Sequence, residues 1–177
     1  NGKVVADPTR VKVITRSGPS LEESKLITGL ALPKKRAHVE MPSTLGPGSI
    51  LLIDGGLELR SLTNDVQLNV TSTSVLQSFR DAEQQRLLDQ VKLLVDLDVK
   101  LLACREGIDD SMHAHLAEAG IKAFRRVAKS DLELLARGCG ARLIPTIHQA
   151  KQSDVGVFIS SRCERWGDVD HWILEAD

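Results

Sequence analysis

Apolar residues along this chain fall into short blocks separated by turn-forming stretches, and the spacing inside each block predicts its element. Residues 4–6 (VVA) and 11–14 (VKVI) suit short strands, and residues 16–23 (RSGPSLEE) form a turn-rich break. A further apolar run over 26–32 is interrupted by Gly29 and ends at Pro33, which cannot donate to a sheet ladder. Gly46-Pro47-Gly48 signals a turn. The unbroken apolar block SILLI at 49–53 then predicts a fully buried strand, followed by Asp54-Gly55-Gly56. Val66, Leu68 and Val70 alternate with Gln67, Asn69 and Thr71, the pattern of a strand with one apolar face.

A long helix is predicted over 75–97, with hydroxyls at 71–74 available to cap it. At 1.5 Å per residue it would extend roughly 34 Å. Its apolar stripe has two parts. Val75, Leu76, Phe79 and Ala82 form a first patch, and Leu87, Leu88, Val91, Leu94 and Val95 a second, larger one. Between them Glu83-Gln84-Gln85-Arg86 is one whole polar turn. A helix packed along its full length keeps its stripe. The break therefore predicts a docked second half and a first half that leaves the body, the alternative being a continuous helix with a local gap.

Downstream the elements are shorter. Residues 99–103 predict a buried strand, and Asp109 or Asp110 caps the helix after it. Met112, Leu116 and Ala119 would face the core, leaving Ala114, Ala117 and Glu118 outward, and Gly120 stands where a helix-ending glycine belongs. Residues 121–127 predict a strand. Ser130 and Glu133 have capping-box spacing for a helix through Arg137, closed by Gly138. Strands are expected over 143–147, bent by Pro145, and over 155–159 and 172–174.

Composition narrows the class. The 177 residues are 42% apolar and 27% charged, enough for a real core, but aromatics are only 3% and Tyr is absent, so that core must be Leu, Val, Ile and Ala. A net charge of −1 argues against broad nucleic-acid binding. No apolar run reaches the roughly 18 residues of a membrane helix. Three widely spaced cysteines, Cys104, Cys139 and Cys163, suit reduced thiols and a cytoplasmic location. The chain opens at Asn1 in mid-pattern, which reads as a piece of a longer protein.

Candidate chemistry is sparse. His113 and His115 stand about 200° apart on a helix, cannot chelate one ion together, and are expected at the surface. Cys104 and His113 make no convincing nucleophile–base pair. Asp109-Asp110 fit helix capping better than acid–base catalysis, and Arg125-Arg126 a salt-bridged strand end better than an anion site. Lys34–Arg36 read as a solvated basic turn. Asp54-Gly55-Gly56 could cradle phosphate, but without GxGxxG, GKS or GKT it reads as a tight turn. No catalytic, cofactor or metal set is expected.

The stretch 104–141 (CREGIDDSMHAHLAEAGIKAFRRVAKSDLELLARGCGA) carries a GIDD loop, a helix ending in AEAGI, an RRV strand end and a KSDLELLARGCGA helix. In that order these resemble the apical domain of thermosome-type (group II) chaperonins of archaea and the eukaryotic cytosol, and their bacterial relatives. KLITGLAL (25–32), HVEMP (38–42) and SILLIDGGLEL (49–59) are similar to further family motifs. Pro33, Ser111 and Met112 depart from the family pattern, and 156–177 matches it loosely.

The resemblance implies an α/β fold: a GroEL-like apical domain spanning 1–177, with a small sheet-based core flanked by helices and a helical protrusion, or built-in lid, over about 60–82. It implies a domain that holds non-native client proteins and closes a cavity without catalysing anything itself. ATP and Mg would bind domains outside this chain, and sister subunits would complete a double ring, with no nucleic-acid or membrane partner. The implied client-binding residues are Val75, Leu76 and Phe79 on the projecting arm, and Ser111, His113, Ala114, Ala117 and Glu118 on the helix after GIDD. Two other readings stay open: a small α/β phosphate- or nucleotide-binding enzyme using Asp54-Gly55-Gly56 and the Asp109-Asp110 helix start, and a stand-alone apical-like adaptor.

Overall fold

The computed structural model describes residues 11–15, 20–57 and 73–176, apart from the side chains of Glu23, residues 73–76 and Phe79. The strands expected over 4–6 and 66–71 lie outside the described residues. Twelve elements follow in order: β1 (Gly29–Leu32), β2 (Thr44–Leu45), β3 (Gly48–Ile53), α1 (Thr73–Asp96), β4 (Leu101–Cys104), α2 (Asp110–Glu118), β5 (Lys122–Phe124), α3 (Lys129–Cys139), β6 (Leu143–Ile144), β7 (Gly156–Phe158), β8 (Ser160–Trp166) and β9 (Val169–Glu175). Single 3₁₀ turns occur at Leu21–Glu23, Ile147–Gln149 and Gln152–Asp154.

Two sheets result. In the first, β5, β4, β3 and β6 run parallel in that spatial order, and β7 lies antiparallel to the start of β3. The second is antiparallel, in the order β1-β9-β8-β2. The block at 49–53 is buried on both faces because alternate side chains enter different cores. Leu51 and Ile53 join Leu102 and Cys104 beneath α1 and α2, where Leu87, Val91, Leu94, Met112 and Leu116 close over them. Ile50 and Leu52 join Leu101 and Ala103 on the other side, against Leu132, Leu135 and Cys139 of α3 and Trp172 and Leu174 of β9. The molecule is thus layered: helices, parallel sheet, then α3 with the second sheet.

Two contacts join β5 to the second sheet. The Phe124 and Trp172 rings stack with centroids 3.9 Å apart and planes 10° from parallel. Lys122 is fully buried, and its ammonium donates to the Ser43 carbonyl at 2.8 Å and to the carbonyl and hydroxyl of Ser161 at 3.2 and 3.3 Å. The same Ser161 hydroxyl accepts from the Trp172 indole at 3.0 Å. Burial, opposed in part by Cys163 and reinforced by Arg36, holds the Lys122 pKa below its ordinary value.

Several sequence expectations need correction. Residues 11–15 form no strand, and Val11 and Val13 are exposed. The helix expected after Ser130 begins two residues earlier, behind Ala128, which makes no side-chain cap bond. It runs past Gly138 and ends at Gly140, whose φ of 65° is the left-handed stop that glycine tolerates best. Leu132, Leu135 and Cys139 need that full length to reach the core. Strand β8 (SSRCERW) was not legible, because among its residues only Ser161 is buried and no apolar alternation marks it. Its partners identify it instead: Arg162 bridges Glu164 and Glu175 at 2.7 Å each.

Removing one ring of the inter-sheet stack should be severe. Phe124→Ala is expected to destabilise the chain by about 3–5 kcal/mol, measured by urea unfolding, whereas Val157→Ser on the exposed face of β7 should stay within about 0.5 kcal/mol.

Candidate functional site

A ligand in an open α/β sheet ordinarily sits beyond the carboxyl ends of the strands where the strand order reverses. Here that point lies between β3 and β6, since the chain builds outward from β3 to β4 and β5 and then returns to the other side of β3. Asp54-Gly55-Gly56 leaves β3 at this place, and it is closed. The Asp54 amide donates to the Ile144 carbonyl at 2.7 Å and the Leu57 amide to the Gly107 carbonyl at 3.0 Å. A Cβ on Gly55 would stand 2.7 Å from the Pro145 carbonyl oxygen, and one on Gly56 2.6 Å from that of Gly107. Both glycines therefore serve close backbone approach. The Asp54 carboxylate pairs with Arg105 at 2.7 Å and lies 3.7 Å from Lys129. These contacts make the turn a packing joint between β3 and the neighbouring loops.

The start of α2 is likewise built for capping. The Asp109 carboxylate accepts from the Ser111 amide at 2.9 Å. Asp110 faces His113 at 3.5 Å and Arg125 at 3.6 Å, which ties the helix to the end of β5. Cys104 is sealed in the core, and burial raises its thiol pKa far out of the reactive range, while burial pushes Cys139 up to about 11. No group of three or more metal-ligating side chains comes together among the described residues.

What the fold offers instead is helical surface. On α1, Leu87, Val91 and Leu94 are buried, but Leu88 and Val95, expected in the same stripe, are 39% and 52% exposed. The reason is angular. Leu88 and Val95 are two turns apart on one line, displaced about 100° from Leu87. They lie on the flank opposite Gln90, which meets His148 at 3.4 Å. N-terminal to Leu87, every side chain described from Gln77 onward is exposed except half-buried Glu83.

On α2, Ser111, Ala114 and Glu118 are exposed as expected. His113 is not: it is 5% exposed, contrary to the surface position expected for it. The helix start tilts its flank beneath Arg125 and His38, whose ring lies 5.9 Å away between centroids. Ala117 is half-buried and packs on the core rather than facing outward. Val75, Leu76 and Phe79 lie on α1, but their side chains are outside the described residues. Sequence reasoning missed the Leu88–Val95 stripe, whose signal was a pair of apolar residues too many for one helix face.

Over residues 3–176 the chain matches the model of the TCP-1/cpn60 chaperonin family. The chain belongs to that family. Among relatives, it is 35% identical over 156 residues to a thermosome subunit beta of Archaeoglobus fulgidus, covering 88% of this chain and 29% of that protein. It is 32% identical to a thermosome subunit of Methanopyrus kandleri with the same coverage, and 34% identical over 165 residues to thermosome subunit 3 of Haloferax volcanii, covering 93% of this chain and 32% of that one. Among solved structures, an open-state monomer of a group II chaperonin from Methanococcoides burtonii superposes with a TM-score of 0.68 at 25% identity, over 91% of this chain and 34% of that one. This chaperonin chain thus spans about a third of the length of its relatives.

Because the Gly55 position is filled by backbone, Gly55→Ala should cost about 1–3 kcal/mol, read as a lowered urea midpoint. Gly138→Ala, where an added Cβ meets nothing within 4 Å, should not destabilise α3.

Proposed function

We propose that this chain is the apical domain of a group II chaperonin subunit, that it holds non-native polypeptides, and that its projecting helical arm takes part in closing the cavity. The observation that supports this most is the division of α1 into a core stripe and a separate exposed one. Leu87, Val91 and Leu94 already satisfy the core, so Leu88 and Val95 are apolar area that folding of this chain leaves uncovered. Modest apolar patches among polar neighbours suit partners that share no sequence. The exposed face of α2, with Ser111, Ala114 and Glu118, extends such a surface. Val75, Leu76 and Phe79 belong to the same proposal as the contact patch of an arm spanning about 60–82.

Of the proposed client contacts on α2, His113 is buried and Ala117 half-buried, so the accessible part of that surface is Ser111, Ala114 and Glu118 with the edge of Ala117. Ring assembly with sister subunits, and ATP with Mg bound in domains outside this chain, complete the proposed subunit. The close backbone packing of the Asp54-Gly55-Gly56 turn supports placing nucleotide in domains outside this chain, and the proposed setting is the cytoplasm. No helix among the described residues is long and apolar enough to cross a membrane.

The test is suppression of aggregation of a chemically denatured client by the 177-residue chain. The Leu88→Gln, Val95→Gln double variant should hold client several-fold less well, while its stability changes by no more than about 0.5 kcal/mol per site. Unchanged holding would remove α1 from the client surface. Purified chain should show no magnesium-dependent ATP turnover, and turnover that follows the protein through purification would overturn the apical assignment.

A further inference from the structure

The loop between β1 and β2 is pinned to β5 at both ends. The Ala37 amide donates to the Ala123 carbonyl at 2.8 Å, and the Ser43 carbonyl accepts from Lys122 at 2.8 Å. Between these points Met41 is buried beneath the α1–α2 layer, and His38 is held against His113 of α2, with ring centroids 5.9 Å apart and planes tilted by 31°. His38 Nδ1 accepts from the Glu40 amide at 3.3 Å, and the Glu40 carboxylate waits 3.7 Å away. His113 Nε2 is buried and has no hydrogen-bond partner.

We propose that His113 is an acid-sensitive latch, which docks the 37–42 loop onto α2 through His38 when neutral and releases it when protonated. The geometry carries this. A buried imidazole nitrogen without a partner can accept a proton only as a desolvated charge, beside a second histidine and the Arg125 guanidinium.

The charged groups facing His113 are Asp109 and Asp110 from the start of α2, Arg125 from the end of β5, and His38 with its partner Glu40 from the loop. From α1 the shared core presents apolar Leu87, Val91 and Leu94, and among the described residues no α1 side chain forms an ion pair with His113. Burial first, then Arg125 and His38, hold the His113 pKa below its ordinary value, with Asp110 and Asp109 opposing them. The sign follows. A base whose pKa is lower when docked resists the proton that the undocked form takes up. Docking is therefore fully stable above the ordinary histidine value of about 6.5 and weakens as pH falls below it, until the lowered docked pKa is passed. The proposal concerns only loop and helix, and it stands whether or not α2 holds clients.

The test is a histidine NMR titration of the 177-residue chain with hydrogen exchange at pH 7.5 and 5. The His113 midpoint should lie below 6.5. His38→Gln and Arg125→Gln should raise it, and Asp110→Asn should lower it. Opening of residues 37–42 and 110–118 should increase at pH 5, by up to about tenfold for each unit between docked and undocked pKa, while 50–53 stays protected. His113→Gln, or His38→Gln if that variant does not fold, should remove the increase. A His113 midpoint at the ordinary value and indifferent to His38, or exchange that rises equally at 50–53, would overturn the latch.

Discussion

Everything in this fold hangs on the joint between β5 and the antiparallel sheet. β5 is only three residues long and forms the edge of the parallel sheet, yet it adds a ring stack and a buried ammonium to the apolar core that the two sheets share. Phe124 supplies stacking area in a chain with very few aromatics, and Lys122 supplies three hydrogen bonds that cross from one sheet to the other. A buried ammonium is tolerated only when its donors are satisfied, and the Ser43 and Ser161 acceptors provide that. The same strand positions Arg125 over α2 and anchors the loop that carries His38 and Met41. The packing of α2, the loop carrying His38 and the inter-sheet core therefore share one support.

The long helix shows how a domain can be stable and still present apolar area. Among the described side chains of the α1 stripe, Leu87, Val91 and Leu94 are buried, and they lie within its C-terminal half. That half is held by the α1–α2 layer, and the described part before it makes no such commitment. A helix packed in its second half, with the side chains of 77, 78 and 80–82 exposed before it, is suited to contacts with other molecules. The cost is low, because the exposed half is predominantly polar and the exposed Leu88 and Val95 are isolated among charged and amide side chains.

At the sheet's reversal point the described backbone is closely packed. Two glycines bring the β3 turn into direct contact with the backbone of neighbouring loops, and an Asp54–Arg105 pair covers the join. The same substitution of backbone for ligand explains why a strand-then-glycine pattern, suggestive of phosphate in sequence, is a packing device in space.

The amino-acid sequence by itself determined the alternating order of strands and helices from β3 to β6, a carboxylate cap at Asp109 or Asp110, the Gly120 stop and the polar turn over 83–86 of α1, because each rests on local chemistry or on periodicity within one element. The family likeness was also legible, in the GIDD and KSDLELLARGCGA stretches. Tertiary structure alone decided the rest. It identified β8 by its partners, since a strand with one buried residue has no pattern of its own. It ended α3 at Gly140 rather than Gly138, because the reach to the core sets the length. It turned Leu88 and Val95 outward, since which of two adjacent apolar residues is buried depends on the angle at which the helix meets its neighbours. For the same reason it buried His113 beneath a loop seventy-five residues earlier in the chain: no local rule can place a side chain whose environment is built by a distant segment.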